Sequence, residues 1–457
     1  MTENPLSVQP VRKLIWKYAL PGIVSQLVNS AHNIVDQIFI GWGINDLGIA
    51  ATNVTFPFTT LMTAISALVG MGAAARFSIL LGEKRQRDAA QFLGNAITLL
   101  VLASVILTAG FSLFLRPTLY LFGATEPIME YAVPYARILC LGIPFGIFSA
   151  GMSYFIRADG NPVYSSAVLL SGAIFNIVFD PIFLFVFKMD IEGVALATVL
   201  GQVLSAALVL WYLLRRLHSV QLQSDDFRPR GRVSMTTFSL GIATFTTHIL
   251  HTIAQILQTN TLKTFGALSV YGSEVPITAA GAVAKLTMVF LAAIIGIAIG
   301  SQPISGYNLG SRQYGRVKEV YRLVLRYGTI IAVSSYVILQ LFPHTILQIF
   351  GSDDPLFYQF ATRYIRIFLG ALFLNTVQPV TSIFCTSIGK AKLGFWMALI
   401  RQGLIMIPVL LILPHFLGVD GVLFSGCFSD TVAAIVAFFV GRSQLKWLTK
   451  LEQEANA

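Results

Sequence analysis

The stretch SAHNIVDQIFIGWG, residues 30–43, places Asp36 inside a segment that is otherwise suited to contact with lipid. A second stretch, FNIVFDPIFLF at 175–185, repeats the pattern with Asp180. An ionisable group is costly at membrane depth, so an acid that is retained there indicates a functional site. The interpretation of both aspartates therefore depends on whether the chain spans a membrane.

The composition is that of an integral membrane protein. Of the 457 residues, 55% are hydrophobic and only 11% are charged, and the mean hydropathy is +0.74. About a quarter of the residues of a soluble domain are charged, so this chain lacks the polar residues that would cover a soluble surface. We therefore predict an all-α protein embedded in a lipid bilayer.

Twelve apolar segments are each long enough for a membrane helix of about 20 residues. They cover residues 14–41, 47–80, 90–115, 131–156, 162–187, 193–214, 236–266, 276–307, 320–342, 358–388, 391–414 and 421–441.

The basic residues are concentrated in alternate loops and near both termini. By the positive-inside rule, this distribution predicts that both termini are cytoplasmic. Topology then accounts for the net charge of +10, and no nucleic-acid partner is expected.

Short motifs recur at an offset of 228 residues, half the chain. The pairs are Leu81-Gly82 with Leu309-Gly310, Phe122-Gly123 with Phe350-Gly351, Leu141-Gly142 with Leu369-Gly370, and Glu192-Gly193-Val194 with Asp420-Gly421-Val422. They indicate a duplicated unit of six helices. Because six is even, both copies enter the membrane from the same side, as parallel repeats. We predict an N-terminal lobe (1–220), a cytoplasmic linker (221–235) and a C-terminal lobe (236–457).

Four polar residues of the first lobe are predicted to form an ion site. A rise of about 1.5 Å per residue places Asp36, Asp180 and Thr198, on three helices, roughly 10 Å below the outer surface. Asn176 lies four residues before Asp180, on the same helical face. Two carboxylates in one low-dielectric pocket cannot both stay ionised without cost, so such a pair takes up a proton or holds a cation such as Na⁺. The alternative is that each aspartate makes a structural hydrogen bond between helices.

The first predicted helix carries a polar stripe at three- and four-residue steps. Its members are Ser25, Asn29, His32, Asn33 and Asp36. A polar face of this kind is not expected to contact lipid, and it makes Asn33 a candidate neighbour of the ion site.

The second lobe differs from the first. Its first helix contains no acid and offers candidate polar groups for a cavity, His248, His251, Gln255 and Gln258. Metal binding by the two histidines is not expected, because they have no acidic or cysteine partner.

One acid, Asp430, lies in the last predicted helix of the second lobe. We expect it to pair with Arg401 or Lys285 rather than to form a second ion site.

The chain contains no HExxH, GxSxG or P-loop motif. We therefore expect neither an enzyme nor an organic cofactor, and an ion gradient as the energy source. Gly70 and Gly72 are interpreted as sites of close helix packing.

The sequence resembles the MATE (multidrug and toxic compound extrusion) family, most closely its prokaryotic DinF/MepA-like branch. The motifs that carry the resemblance are YALPGIVSQL (18–27), VDQIFIG (35–41), RADGNP (157–162), NIVFDPIFLF (176–185), GVALAT (193–198) and RQ (401–402).

The resemblance implies a V-shaped pair of six-helix bundles in a prokaryotic cytoplasmic membrane, acting as a monomer. It implies export of amphipathic, mostly cationic drugs in exchange for H⁺ or Na⁺, by alternating access. The family's ion site maps onto Asp36, Asn176, Asp180 and Thr198, with Tyr135 at a position often linked to it.

A lipid-linked oligosaccharide flippase of the same superfamily is the alternative. Such flippases need converging buried basic residues, whereas Lys263, Lys285 and Arg401 are scattered along the second lobe. No motif supports a channel or a membrane enzyme.

Overall fold

The computed structural model describes residues 4–44, 46–348 and 354–456. These residues are almost entirely helical, and none of them belongs to a β-strand. One of the predicted repeat motifs, Phe350-Gly351, lies outside the described residues.

Within the described residues, twelve long helical segments correspond to the twelve predicted spans. They are α1 (Val11–Gly43), α2 (Leu47–Gly82), α3 (Gln86–Leu113), α4 (Glu126–Ala158), α5 (Pro162–Val186), α6 (Asp190–Arg215), α7 (Gly231–Ala267), α8 (Glu274–Gly310), α9 (Tyr314–Leu341), α10 (Pro355–Phe368 with Leu372–Ser387, bent by 42°), α11 (Ala391–Leu417) and α12 (Val419–Asn456).

Ten of these helices are long and apolar enough to cross a membrane, and the bent α10 raises the number to 11 within the described part of the chain. The twelfth, α1, is 33 residues long, and the polar stripe accounts for its lower hydropathy. The predicted all-α, twelve-helix architecture is confirmed.

Several helices extend beyond the predicted apolar segments, among them α4, α7, α9 and α12. Helix α7 begins at Gly231, inside the predicted linker, and α12 continues to Asn456, past the predicted end at residue 441. The apolar pattern marks only the part of a helix that lies in lipid. Helical turns that extend beyond the membrane are polar, so the apolar pattern does not reveal them.

A tight corner sets the direction of α5, which carries two of the predicted ion-site residues. Gly160 adopts a positive φ of 102°, the Asn161 side chain accepts a hydrogen bond from the Tyr164 backbone N–H at 3.2 Å, and Pro162 occupies the first turn. Asp159 is buried and accepts a hydrogen bond from the Tyr212 hydroxyl of α6 at 2.6 Å. The corner therefore ties α4, α5 and α6 together.

The connection between the two halves is held on α3. Asp226, in a short 3-10 turn, is buried. Its carboxylate lies 2.7 Å from the guanidinium of Arg87 and accepts a hydrogen bond from the backbone N–H of Gln223 at 2.8 Å. The Thr98 hydroxyl donates to the carbonyl of Phe227 at 2.6 Å.

The two bundles, α1–α6 and α7–α12, meet at the end of the molecule that carries the basic loops and the termini, here called the basic end. Three glycine pairs bring their backbones into contact there: Gly22 with Gly296, Gly72 with Gly241, and Gly82 with Gly310. The interpretation of Gly72 as a packing residue is confirmed, and Gly70 packs in the same way against Gly151 within the first bundle.

Polar residues are exposed farther along the helices that carry these contacts. Asn29 and Asn33 are exposed on α1, and His251 and Gln255 are exposed on α7. Such residues are not expected to face lipid. We infer that they border a space between the bundles that is closed at the basic end and open toward the opposite end.

Replacing Gly241 by Val is expected to weaken the closure at the basic end. A Cβ atom at this position would overlap the backbone carbonyl of Leu68 on α2, and overpacking costs about 1–3 kcal/mol. In a cysteine-free background, the variant should make a cysteine placed at the buried Thr237 more reactive toward a water-soluble maleimide. The control is Gly281→Val, since a Cβ atom there meets no atom within 4 Å; equal labelling of both variants would contradict the prediction.

Candidate ion site

The amide of Asn176 connects α5 to α6. Its Nδ2 donates to Oδ1 of Asp180 at 3.0 Å and to the hydroxyl of Thr198 at 2.9 Å. The Thr198 hydroxyl in turn donates to the carbonyl of Val194 at 3.2 Å. Three of the four predicted ion-site residues are therefore joined by direct hydrogen bonds.

The fourth residue, Asp36, reaches the group from α1. Its carboxyl group lies beside the carboxyl group of Asp180 and interacts with it electrostatically. Asp180 is fully buried, whereas Asp36 is half-buried. Two carboxyl groups this close cannot both stay ionised without cost, so the pair favours a proton or a bound cation.

Three oxygen atoms of this group are buried and have no hydrogen-bond donor within the described part of the chain. They are Oδ1 of Asp36, Oδ1 of Asn176 and Oδ2 of Asp180. Buried polar atoms normally have a partner. Carboxylate and amide oxygens in this number suit either a proton shared by the two acids or a hard monovalent cation.

The local backbone is irregular just beyond Asp180. Pro181 has no N–H, so the carbonyl of Ile177 lacks its usual helical partner. A π-helical turn, Ile182–Val186, follows directly. Such turns are frequent at functional sites, and this one ends the regular part of α5 at the carboxyl pair.

Of the two predicted neighbours of the ion site, one interacts with the carboxyl pair and the other bonds to its own helix. Tyr135 is buried on α4 and interacts electrostatically with both Asp36 and Asp180. Asn33 is exposed, and its amide donates to the carbonyl of Asn29 at 2.7 Å, one turn back along its own helix.

His32 is a further neighbour of the ion site, predicted from the sequence only as a member of the polar stripe. It is half-buried, interacts electrostatically with Asp36, and its Nδ1 is buried with no partner among the described residues. The signal was present in the sequence, because His32 precedes Asp36 by four residues, one helical turn.

In the second bundle, Asp430 forms an ion pair with Arg401. Its Oδ1 lies 2.8 Å from a terminal guanidinium nitrogen of Arg401 and accepts from Nε at 2.9 Å. Its Oδ2 accepts from Asn375 Nδ2 at 3.1 Å. The expected pairing is confirmed for Arg401, which lies in a π-helical stretch, Leu399–Met406.

The four candidate cavity residues of α7 divide into two groups. His251 and Gln255 are exposed and His248 is half-buried, whereas Gln258 donates its amide hydrogen to the hydroxyl of Tyr364 on α10. Within the described ranges, no group of three His, Cys, Asp or Glu side chains could hold a metal ion.

Comparison with known proteins extends over almost the whole chain. The model of the MatE family matches twice, at residues 21–182 and 252–412, in agreement with the internal duplication. A curated relative, multidrug export protein MepA of Staphylococcus haemolyticus, is 26% identical over 442 residues, covering 96% of this chain and 94% of that protein. MepA of Staphylococcus aureus strain N315 is 26% identical over 439 residues, covering 94% of this chain and 93% of that protein.

Solved structures share the fold. A structure described as MATE in the bent conformation superposes with a TM-score of 0.90 at 21% identity, covering 99% of this chain and 100% of that chain. A multidrug resistance MATE family transporter of the MOP superfamily, in its outward-facing conformation, also gives a TM-score of 0.90 at 21% identity and covers 98% of this chain and 99% of that chain.

Proposed function

Because the chain belongs to the MatE family, we propose that it exports amphipathic, mostly cationic drugs or toxic organic compounds in exchange for H⁺ or Na⁺. The observation that carries the coupling is the carboxyl pair of Asp36 and Asp180, whose buried oxygens Asp36 Oδ1 and Asp180 Oδ2 have no hydrogen-bond partner among the described residues. The drug-like substrate class is supported by the name of the relatives, multidrug export protein MepA. A small molecule and a monovalent ion are then the partners of the chain, and no organic cofactor takes part.

The coupling ion binds at Asp36, Asn176, Asp180 and Thr198 in this proposal. Asp36 is half-buried and Asp180 is fully buried. An ion that enters from the end opposite to the basic end therefore meets Asp36 first. A proton or Na⁺ supplies the positive partner that the unpaired oxygens lack. Binding is therefore strongest when both carboxyl groups face each other in a water-poor site.

Helix α1 links the ion site to the contact between the bundles. It carries Asp36 toward one end and Gly22, which touches Gly296 of α8, toward the other. Pro21 lies inside α1 and removes one helical hydrogen bond beside that contact. An ion that favours one position of α1 shifts the conformational equilibrium by its difference in affinity for the two states.

Alternating access follows from this arrangement. The bundles close on each other at the basic end, which the charge distribution predicts to be cytoplasmic. To load substrate from that side, the glycine contacts must separate while the opposite end closes. We propose residues 1–220 and 236–457 as the moving lobes, with 221–235 as their connection.

The flippase alternative is not favoured. A site for a pyrophosphate lipid needs several converging cationic groups, but the charge of Arg401 is compensated by Asp430. Lys263 is exposed and Lys285 is half-buried, and neither shares an ion pair with Asp430.

Efflux from proteoliposomes tests the proposed function. With ethidium as the probe, a Na⁺ gradient and a pH gradient are imposed separately on the purified full chain. We expect one of them to drive concentrative transport without added nucleotide. Transport that is indifferent to both gradients would contradict ion coupling.

Replacing Thr198 by Val is expected to weaken the ion site moderately. The variant loses the hydroxyl that accepts from Asn176 at 2.9 Å. A net hydrogen-bond contribution of about 0.5–1.5 kcal/mol corresponds to roughly a two- to tenfold higher ion concentration for half-maximal efflux.

Thr247→Val is the matched control for this prediction. Its hydroxyl donates only to the carbonyl of Ala243 on its own helix, at 2.9 Å, on α7. An equal shift of the ion dependence in both threonine variants would show that Thr198 has no special role.

A further inference from the structure

A cavity of about 440 Å³ lies in the first bundle, at the end opposite to the basic end. It is formed where α3 ends, where the short helix Leu115–Leu121 begins, and along residues 133–140 of α4. Two arginines, Arg116 and Arg137, and the Ser112 side chain belong to its lining. The cavity contains none of the proposed ion-site residues.

The two arginines share this cavity without an acid in its lining. Both are exposed, and neither forms an ion pair among the described residues. The nearest acids along α4 are engaged or distant: Glu126 accepts the hydroxyl hydrogen of Tyr120, and Glu130 precedes Arg137 by two helical turns. Two positive charges therefore face one cavity with no negative partner.

Arg137 is also unusual in its depth. It lies within the predicted span 131–156, roughly 9 Å along α4 from the start of that span at 1.5 Å per residue. A charged side chain at such a depth is costly unless it meets a partner or reaches the interface. The proposed export mechanism does not use this arginine. In this turn of α4, the residue that interacts with the carboxyl pair is Tyr135.

The walls around the two guanidinium groups are apolar. Leu115 and Val133 contribute to them, and Cys140 lies one turn beyond Arg137. Val133, Arg137 and Cys140 follow each other at four- and three-residue steps, so they share one face of α4. A ligand that fits must be anionic at one end and hydrophobic next to it.

We propose that this cavity binds an anionic phospholipid from the leaflet at this end of the molecule, with its phosphate held between Arg116 and Arg137. The planar guanidinium group matches the geometry of phosphate oxygens and can donate two parallel hydrogen bonds. The apolar walls distinguish a lipid from free phosphate, since only a lipid buries hydrocarbon beside the charge.

Native mass spectrometry of the full chain, released from phosphatidylglycerol nanodiscs, tests the proposal. The double variant Arg116→Gln/Arg137→Gln should retain phosphatidylglycerol at least about tenfold less than the unmodified chain, since a hydrogen bond to a charged group contributes about 1.5–3 kcal/mol. The matched control is Lys188→Gln/Lys263→Gln. It removes the same charge from exposed positions near the same end of the helices and should leave retention unchanged.

Three further measurements distinguish a lipid site from a loss of folding, a general effect of charge and a site for free phosphate. In nanodiscs of phosphatidylcholine alone, the double arginine variant should unfold at the same temperature as the unmodified chain, and Arg116→Lys/Arg137→Lys should keep part of the phosphatidylglycerol retention. An excess of inorganic phosphate should not displace the lipid. Equal loss of lipid in both double Gln variants, or displacement by inorganic phosphate, would overturn the proposal.

Discussion

Replacing Asp36 by Asn is expected to abolish gradient-driven efflux while the protein remains folded and inserted. Asparagine has nearly the same shape as aspartate and can donate a hydrogen bond to Asp180, so the packing of α1 is kept. It can neither take up and release a proton nor attract a cation. Because hydrogen bonds to a charged group contribute about 1.5–3 kcal/mol, the proposed coupling predicts a loss of roughly tenfold or more in efflux rate.

The same substitution at Asp180 should give the same loss, and the double variant should be no worse than either single one. Residues that act as one unit are strongly non-additive in this way. The control is Glu192→Gln, which removes an exposed carboxylate from the first turn of α6. Normal gradient-driven efflux by Asp36→Asn, with the control also normal, would show that the carboxyl pair does not couple transport.

Replacing Arg401 by Met is expected to give the largest loss of stability. The Arg401 side chain is 19% exposed and that of Asp430 is 8% exposed, so the substitution leaves a carboxylate buried without its cation. Breaking such a pair by removing one partner costs about 3–5 kcal/mol. The measurement is thermal unfolding in detergent, in which the variant should melt well below the unmodified chain.

The double variant Arg401→Met/Asp430→Leu should recover most of this loss. Apolar residues of similar size often replace a buried ion pair without a net cost. Lys285→Met is the control, because Lys285 is only half-buried and forms no ion pair among the described residues. If the double variant were as unstable as the single one, the loss would come from packing around Arg401 rather than from the uncompensated charge.

Most of the architecture was predictable from local patterns. Segment length and hydropathy identified the twelve helices, since a helix needs about 20 apolar residues to cross the bilayer. Helix α1 is the instructive case. Its polar stripe lowers its hydropathy, yet the same stripe placed Asp36, Asn33 and His32 on related faces of one helix.

The boundaries that the sequence missed have a common cause. The start of α7 at Gly231 and the continuation of α12 to Asn456 lie in polar segments, where hydropathy carries no information about helical structure. Backbone hydrogen bonds continue there, so the helices extend beyond the apolar stretches.

The sequence by itself determined the fold class, the duplication and the residue types of the ion site, because these depend on composition and on spacing along single helices. Only the tertiary structure decided which side chains meet across helices. It joined Asn176 to Thr198 and Asp36 to Asp180, chose Arg401 over Lys285 as the partner of Asp430, and brought Arg116 and Arg137 into one cavity. The physical reason is that such contacts depend on how the helices pack and rotate against each other, which hydrophobic periodicity does not specify.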